Sequence, residues 1–167
     1  MTNKIFRKYL EIRSVQDLKE VKKPNANYLV SLAEPKDFQL NKFFYKKIGK
    51  NYQWVDRLSW TDLDWTSYIS NEKLSTYILK ENMEIAGYFE LILNQDTREA
   101  EIAYFGILGD YFGKKLGGYL LSEAIKISFS NGANRLWVHT CSLDHKNALN
   151  NYLSRGMKIF KTETLVR

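Results

Sequence analysis

The reading of the fold turns on one stretch, Ala100-Glu101-Ile102-Ala103-Tyr104-Phe105-Gly106-Ile107-Leu108-Gly109-Asp110-Tyr111-Phe112-Gly113-Lys114-Lys115-Leu116-Gly117-Gly118-Tyr119-Leu120-Leu121. Its first part, Glu101 to Leu108, is apolar and β-branched or aromatic enough for a strand. Gly109 to Gly118 is a glycine-bearing loop. Leu116, Leu120, Leu121, Ala124, Ile125 and Ile127 then mark a helix from about Lys114 to Asn131, stopped by Asn131-Gly132. A strand, a glycine loop and a helix N-terminus in that order aim unpaired backbone N–H groups at one point, where the helix dipole also favours an anion. Gly113, Gly117 and Gly118 permit close approach of the backbone, and Lys114 and Lys115 add positive charge. The loop lacks the Gly-Lys-Ser/Thr ending of a P-loop and the three-glycine spacing of a dinucleotide fingerprint. Its competing reading is plain helix-on-sheet packing.

Upstream, Tyr28 to Leu32 reads as a short strand. Pro35 opens an amphipathic helix carrying Phe38, Leu40, Phe43, Phe44 and Ile48, with Gly49 at its end. A tryptophan-rich stretch, Trp54 to Trp65, follows, and Thr61 or Asp62 caps a second short helix reaching about Ser70. Leu74 to Lys80 and Ile85 to Leu93 form a meander with the central strand. Downstream come a strand at Arg135 to Thr140, a helix capped by Asp144 and closed by Gly156, and a last strand from Met157 to Val166. This order predicts an α/β (α+β) sheet with helices on both faces. The 167 residues suit a single domain spanning 1–167.

Composition narrows the function classes. No run approaches the roughly 20 apolar residues that a bilayer-spanning helix needs. Met1 to Lys8 is polar and basic with no apolar run behind it, so no secretory signal is expected and a cytoplasmic home is. One cysteine, Cys141, and two histidines, His139 and His145, provide neither a disulfide nor a tetrahedral metal set; no metal is expected. Lys and Arg outnumber Asp and Glu by 25 to 19, a net charge of +6. That favours a polyanionic partner, whether a phosphorylated cofactor or nucleic acid. The lysines are scattered over many segments rather than striped along one, which argues against nucleic acid.

The quoted stretch resembles the acetyl-CoA-binding motif of the GNAT N-acetyltransferase superfamily. A second stretch, Asp144-His145-Lys146-Asn147-Ala148-Leu149-Asn150-Asn151-Tyr152-Leu153-Ser154-Arg155-Gly156-Met157, resembles that superfamily's last helix, in which a tyrosine precedes a glycine by a fixed interval. The likeness extends into a bacterial-type branch through Trp54 to Trp60, Gly87 to Leu91 and Trp137 to His145. It implies a mixed, mostly antiparallel sheet whose two central parallel strands, Glu101 to Leu108 and Arg135 to Thr140, splay apart to admit acetyl-CoA. Backbone groups at Phe105, Gly106 and Ile107 would then hold the pantetheine arm, and Gly113, Lys114, Lys115, Leu116, Gly117 and Gly118 the diphosphate. His145 matches a cofactor-touching position. The sequence departs from the motif at Phe112, where Gln or Arg is usual, at Lys115, where glycine is usual, and at Lys146, where the branch has proline.

The resemblance also implies direct attack of an amine on the thioester in a ternary complex. Tyr152 occupies the position of the proton donor to the departing thiolate; its competing reading is a tyrosine packed on an apolar helix face. Glu101 stands where histone-type members place a base, against a structural strand carboxylate, with Glu90 and His139 as rivals. Trp54, Asp56 and Trp60, beside Arg57 and Trp65, fall where relatives wall the acceptor site; aromatic walls with an acid suit a cationic amine, and the competing reading is a satellite aromatic core. Cys141 reads as a small buried residue. The expected activity is acetyl transfer to an amine of a small molecule or peptide, the alternative a non-catalytic CoA-binding or sensing module. A homodimer is the further partner expectation.

Overall fold

The computed structural model describes residues 4–166, so the predicted span of 1–167 and the first three residues of the Met1 to Lys8 reading reach outside it. In chain order the elements are β1 (Lys4–Ile12), β2 (Tyr28–Leu32), α1 (Phe38–Gly49), α2 (Asp62–Ile69), β3 (Leu74–Glu81), β4 (Glu84–Asn94), β5 (Glu99–Ile107), α3 (Leu116–Ser130), β6 (Arg135–Cys141), α4 (Ala148–Ser154) and β7 (Lys158–Val166). The strands form one sheet in the order β2-β3-β4-β5-β6-β1-β7. All its pairs are antiparallel except β5 with β6. This is the mixed sheet with helices on both faces that the sequence predicts.

Alternation along β4 builds the two layers. Tyr88 points to one face and stacks on Phe44 of α1, with ring centroids 4.5 Å apart and planes 6° from parallel. Phe89 points to the other, into the larger core of Leu79, Leu91, Ile102 and the α3 residues Leu120, Leu121, Ala124 and Ile125. The α3 helix is largely buried, with its charged residues Glu123 and Lys126 confined to one side and paired at 2.9 Å. Its buried Ser122 and Ser128 hydroxyls donate back to the carbonyls of Gly118 and Ala124 at 2.8 and 2.7 Å, which removes the cost of burying them.

Three local expectations are corrected, and a first strand that the sequence reading did not place is added. Met1 to Lys8 conceals most of β1, which inserts between β6 and β7; its charges are cross-strand partners, Arg7 to Glu163 at 3.4 Å and Glu11 to Arg135 at 2.8 Å. The α3 helix begins at Leu116 rather than Lys114, because Gly113 and Lys115 both take left-handed backbone, φ +78° and +61°. Pro35 lies ahead of α1, whose cap is Asp37, accepting from the Gln39 amide at 2.9 Å. Asp144 does not cap α4; its Oδ2 accepts from Thr140 Oγ1 at 2.5 Å and the Cys141 amide at 3.0 Å, closing the turn after β6. The second helix is capped by Thr61 in a reciprocal box with Asp64.

Gly156 ends α4 at φ +105°, and any side chain there would strike the Asp17 carbonyl. The adjacent Arg155 carbonyl accepts from the Lys19 amide at 2.9 Å. The segment after β1 is thereby strapped to the end of α4.

Candidate active site

The site arises because two parallel strands pair for only three residues. Glu99, Ala100 and Glu101 of β5 lie opposite Arg135, Leu136 and Trp137 of β6, and no further pairs follow. Beyond that point β5 runs on against β4 to Ile107, while β6 runs on against β1 to Cys141. A bulge assists the parting: Glu90 pairs with Tyr104 and Leu91 with Ile102, leaving Ala103 as an extra residue that bends β5. The gap opens a cavity of about 1350 Å³.

At one end of this cavity lies the start of α3. Its cap residue, Lys115, makes no side-chain capping bond, and no acidic residue stands in the first turn. The leading N–H groups have no intrahelical acceptors, and the positive end of the helix faces space lined by Gly113, Lys115, Leu116, Gly117 and Gly118. Gly117 leaves that approach free of side chain, and its carbonyl accepts from Asn151 Nδ2 at 3.0 Å, fastening α4 to the turn. Phe112 packs edge-on against His145, centroids 5.1 Å apart, and His145 against Tyr52 at 5.9 Å. His145 Nδ1 accepts from the Asn147 amide at 3.0 Å, so the neutral ring carries its hydrogen on Nε2. Lys114 stands outside the lining, over the ring of Tyr111 at 5.3 Å.

Where the strands diverge, Phe105, Gly106 and Ile107 line one wall and Val138, His139 and Cys141 the other. Tyr152 projects from α4 between them, 6% exposed, its ring edge-on to Phe105 at 6.2 Å. Its hydroxyl has no hydrogen-bond partner among the described residues. Burial, with the Asp144 charge behind it, pushes the phenol's pKa well above the ordinary value. Glu101 lines the cavity at the last parallel rung, and desolvation raises its carboxyl above the usual range. His139 lies on the exposed rim of β6; desolvation and the Arg7 charge lower its pKa.

The opposite end is closed by a buried ion pair. Glu90 is 0% and Arg57 6% exposed, with Arg57 Nη1 at 3.2 and 3.3 Å from the two carboxylate oxygens. The Tyr68 hydroxyl donates to Oε1 at 2.6 Å and Asn41 Nδ2 to Oε2 at 2.9 Å. Every oxygen of Glu90 is thus engaged, which leaves it badly placed to take a substrate proton. The guanidinium lies between the rings of Tyr68 and Tyr104, 4.1 and 4.2 Å from their centroids, with Trp60 at 4.7 Å. Arg57, Tyr68, Trp54, Asp56 and Tyr104 line the cavity. Trp60 stands behind them, against Trp65 at 4.8 Å.

The structure therefore gathers Tyr152, Glu101, Phe105 to Ile107, the α3 turn, His145, Trp54 and Asp56 around one cavity, with Lys114 and Trp60 outside it. Sequence reasoning named Glu90 only as a rival base and passed over Tyr68, Tyr104 and Asn41. The available signal was a glutamate in the middle of the apolar run Ile85 to Leu93, since such a residue needs a buried cation, and Arg57 stood among the tryptophans to supply it.

The acetyltransferase (GNAT) family matches residues 38–157 of the chain. Among solved structures, a GCN5-related N-acetyltransferase from Kribbella flavida superposes with a TM-score of 0.68 at 14% identity, covering 99% of this chain and 58% of that one. A GCN5-related N-acetyltransferase from Sphaerobacter thermophilus gives 0.70 at 13% identity, covering 97% and 50%. The chain thus spans about half the length of these two proteins. An aminoglycoside acetyltransferase from an uncultured soil metagenomic sample gives 0.65 at 10% identity, covering 80% and 90%. No curated protein sequence matches.

Proposed function

The chain belongs to the GNAT acetyltransferase family, and from that premise we propose that it moves an acetyl group from acetyl-CoA to the amine of a small molecule or peptide. The observation that supports this most is the three-rung pairing of β5 with β6, which opens a cavity running from the uncapped start of α3 to Glu101 and Tyr152. The residues at the α3 turn fit a diphosphate: main-chain donors without acceptors, glycine at the approach and no competing acid.

In this reading the main-chain N–H groups of Leu116, Gly117 and Gly118 hold the diphosphate, while exposed main-chain groups of Phe105 to Ile107 align the pantetheine arm and stabilise charge on the reacting carbonyl. Acetyl-CoA supplies the activated acyl carbon. Glu101 accepts the proton that the acceptor's ammonium must shed, and its raised pKa brings it closer to the operating range of a base. The C–N bond forms, the C–S bond breaks, the electron pair leaves with sulfur, and the second proton shed by the new amide nitrogen balances the thiolate charge through solvent. The Tyr152 hydroxyl donates a hydrogen bond to that sulfur. Full proton transfer is uphill, because a thiol's pKa of about 8.5 lies below the raised phenol, so Tyr152 acts by stabilising developing charge. Trp54 and Asp56 receive the acceptor's cationic end.

A thiol-release assay with acetyl-CoA against amino acids, polyamines, aminoglycosides and peptides tests this. Turnover with at least one amine is expected. Binding of acetyl-CoA with no thiol release across the panel would leave the non-catalytic CoA-binding module as the better account.

A further inference from the structure

We infer that Arg155 is a phosphate anchor, its guanidinium taking a phosphate group of coenzyme A beside the start of α3; this rests on the reading of the cleft as an acyl-CoA site. Arg155 caps the C-terminus of α4 and sends its side chain across to the first turn of α3, where a methyl group placed on Gly118 would collide with its Nη1. The absence of a side chain at 118 is what makes room for the guanidinium there. The residue lines the cavity.

Its surroundings set it apart from the other arginines of the described residues. Arg7 pairs with Glu163, Arg13 and Arg135 with Glu11, Arg57 with Glu90, and Arg98 Nε donates to the Gly132 carbonyl at 3.0 Å. Arg155 has neither carboxylate nor carbonyl for its guanidinium, and its Nε is buried without an acceptor. A buried donor left unsatisfied is costly. Here the cost is compounded, because the cation presses against the positive end of a helix, where charge of its own sign is disfavoured. Lys115 and Lys146 also line the cavity, and among the described residues no carboxylate pairs with Arg155, Lys115 or Lys146.

The position is also held firmly. Asn151 fastens α4 to the Gly117 carbonyl, and the main chain of Arg155 is tied to Lys19. The guanidinium is therefore pre-placed for its ligand. A multiply charged anion with several acceptor oxygens relieves all of these features at once, and a planar guanidinium fork suits phosphate geometry. Coenzyme A carries two such groups, the diphosphate and the 3′-phosphate.

Isothermal calorimetry on the full chain distinguishes the outcomes, using coenzyme A, its 3′-dephospho form and phosphate-free acetyl-pantetheine against wild type, Arg155→Lys and Arg155→Gln. Coenzyme A is expected to bind Arg155→Gln about 10- to 100-fold more weakly than wild type, the worth of a charge-assisted hydrogen bond. Arg155→Lys should recover part of that loss, and acetyl-pantetheine should not discriminate. A penalty that vanishes with dephospho-coenzyme A assigns the 3′-phosphate; one that persists assigns the diphosphate. Equal affinity of wild type and Arg155→Gln for coenzyme A overturns the anchor alone, whereas no binding to wild type overturns the acyl-CoA reading with it. Melting of the free proteins gives a second readout. Arg155→Gln should melt at or above wild type, since an unpartnered charge is removed, and a melting point several degrees lower would make Arg155 a structural support and overturn the proposal.

Discussion

The two ends of the cleft each hold an arginine, and they differ in what surrounds it. Arg57, at the acceptor end, is enclosed by Tyr68, Tyr104 and Trp60 and neutralised by Glu90, which in turn is saturated by Tyr68 and Asn41. Arg155, at the α3 end, pairs with no carboxylate and lies over no ring among the described residues, and its Nε is buried without an acceptor. A charge whose partners all come from the chain is spent on architecture: Arg57 pins the loop carrying Asp56 onto β4 and, through Tyr104, onto β5. A charge with no partner in the chain is available to a ligand. The contrast separates structural from recognition residues more sharply than residue type does.

The strongest way to break this comparison is at Glu90. Glu90→Gln strands a buried guanidinium, and loss of one partner of a buried pair costs about 3 to 5 kcal/mol; urea denaturation should show a drop of that order. Replacing both members with apolar residues, Glu90→Leu with Arg57→Met, should cost much less than the single change, and an equal cost would show that the pair is not coupled.

Next in size is Tyr152, where the two ends meet. Tyr152→Phe keeps the packing against Phe105 and removes the hydroxyl that stabilises the departing sulfur, so kcat should fall roughly 100-fold while coenzyme A affinity is unchanged by calorimetry. An unaltered kcat would return Tyr152 to the core. Glu101→Gln should lower the neutral-pH rate about tenfold, a smaller loss because His139 offers a second proton acceptor. Since the ionised carboxylate is the active form and its pKa is raised by burial, the wild-type rate should decline as pH falls through a value above the ordinary carboxylate range. In the variant the limb should no longer follow a carboxylate but the protonation of His139, whose own pKa is lowered by burial and the Arg7 charge. The smallest effect belongs to Lys115. Its left-handed backbone, φ +61°, is strained for a residue with a side chain, so Lys115→Gly should raise stability by about 1 kcal/mol in thermal or chemical unfolding.

Much of the architecture was legible because it is written locally. The period of α3, the meander of β3 to β5 and the glycine turn each follow from neighbouring residues. Where local signals misled, a distant partner had changed their meaning. The basic start gives no strand signal until Glu163 lies across from Arg7, and Asp144 looks like a cap until Thr140 and Cys141 claim it. The glycine turn itself was legible at Gly113 to Gly118, but the left-handed conformation of Lys115, and hence the later start of α3, was not.

By itself, then, the order of residues determined a strand, a glycine turn and a helix N-terminus in sequence, and two motifs in the order that the GNAT family shows. Only the tertiary structure decided where β5 and β6 part, that Glu90 is consumed by Arg57, and that Arg155 reaches back over Gly118 without a counter-charge. Backbone donors and periodicity are properties of contiguous chain, whereas the state of a charge depends on which groups the fold brings within a few ångströms of it, and those here lie tens of residues away in sequence.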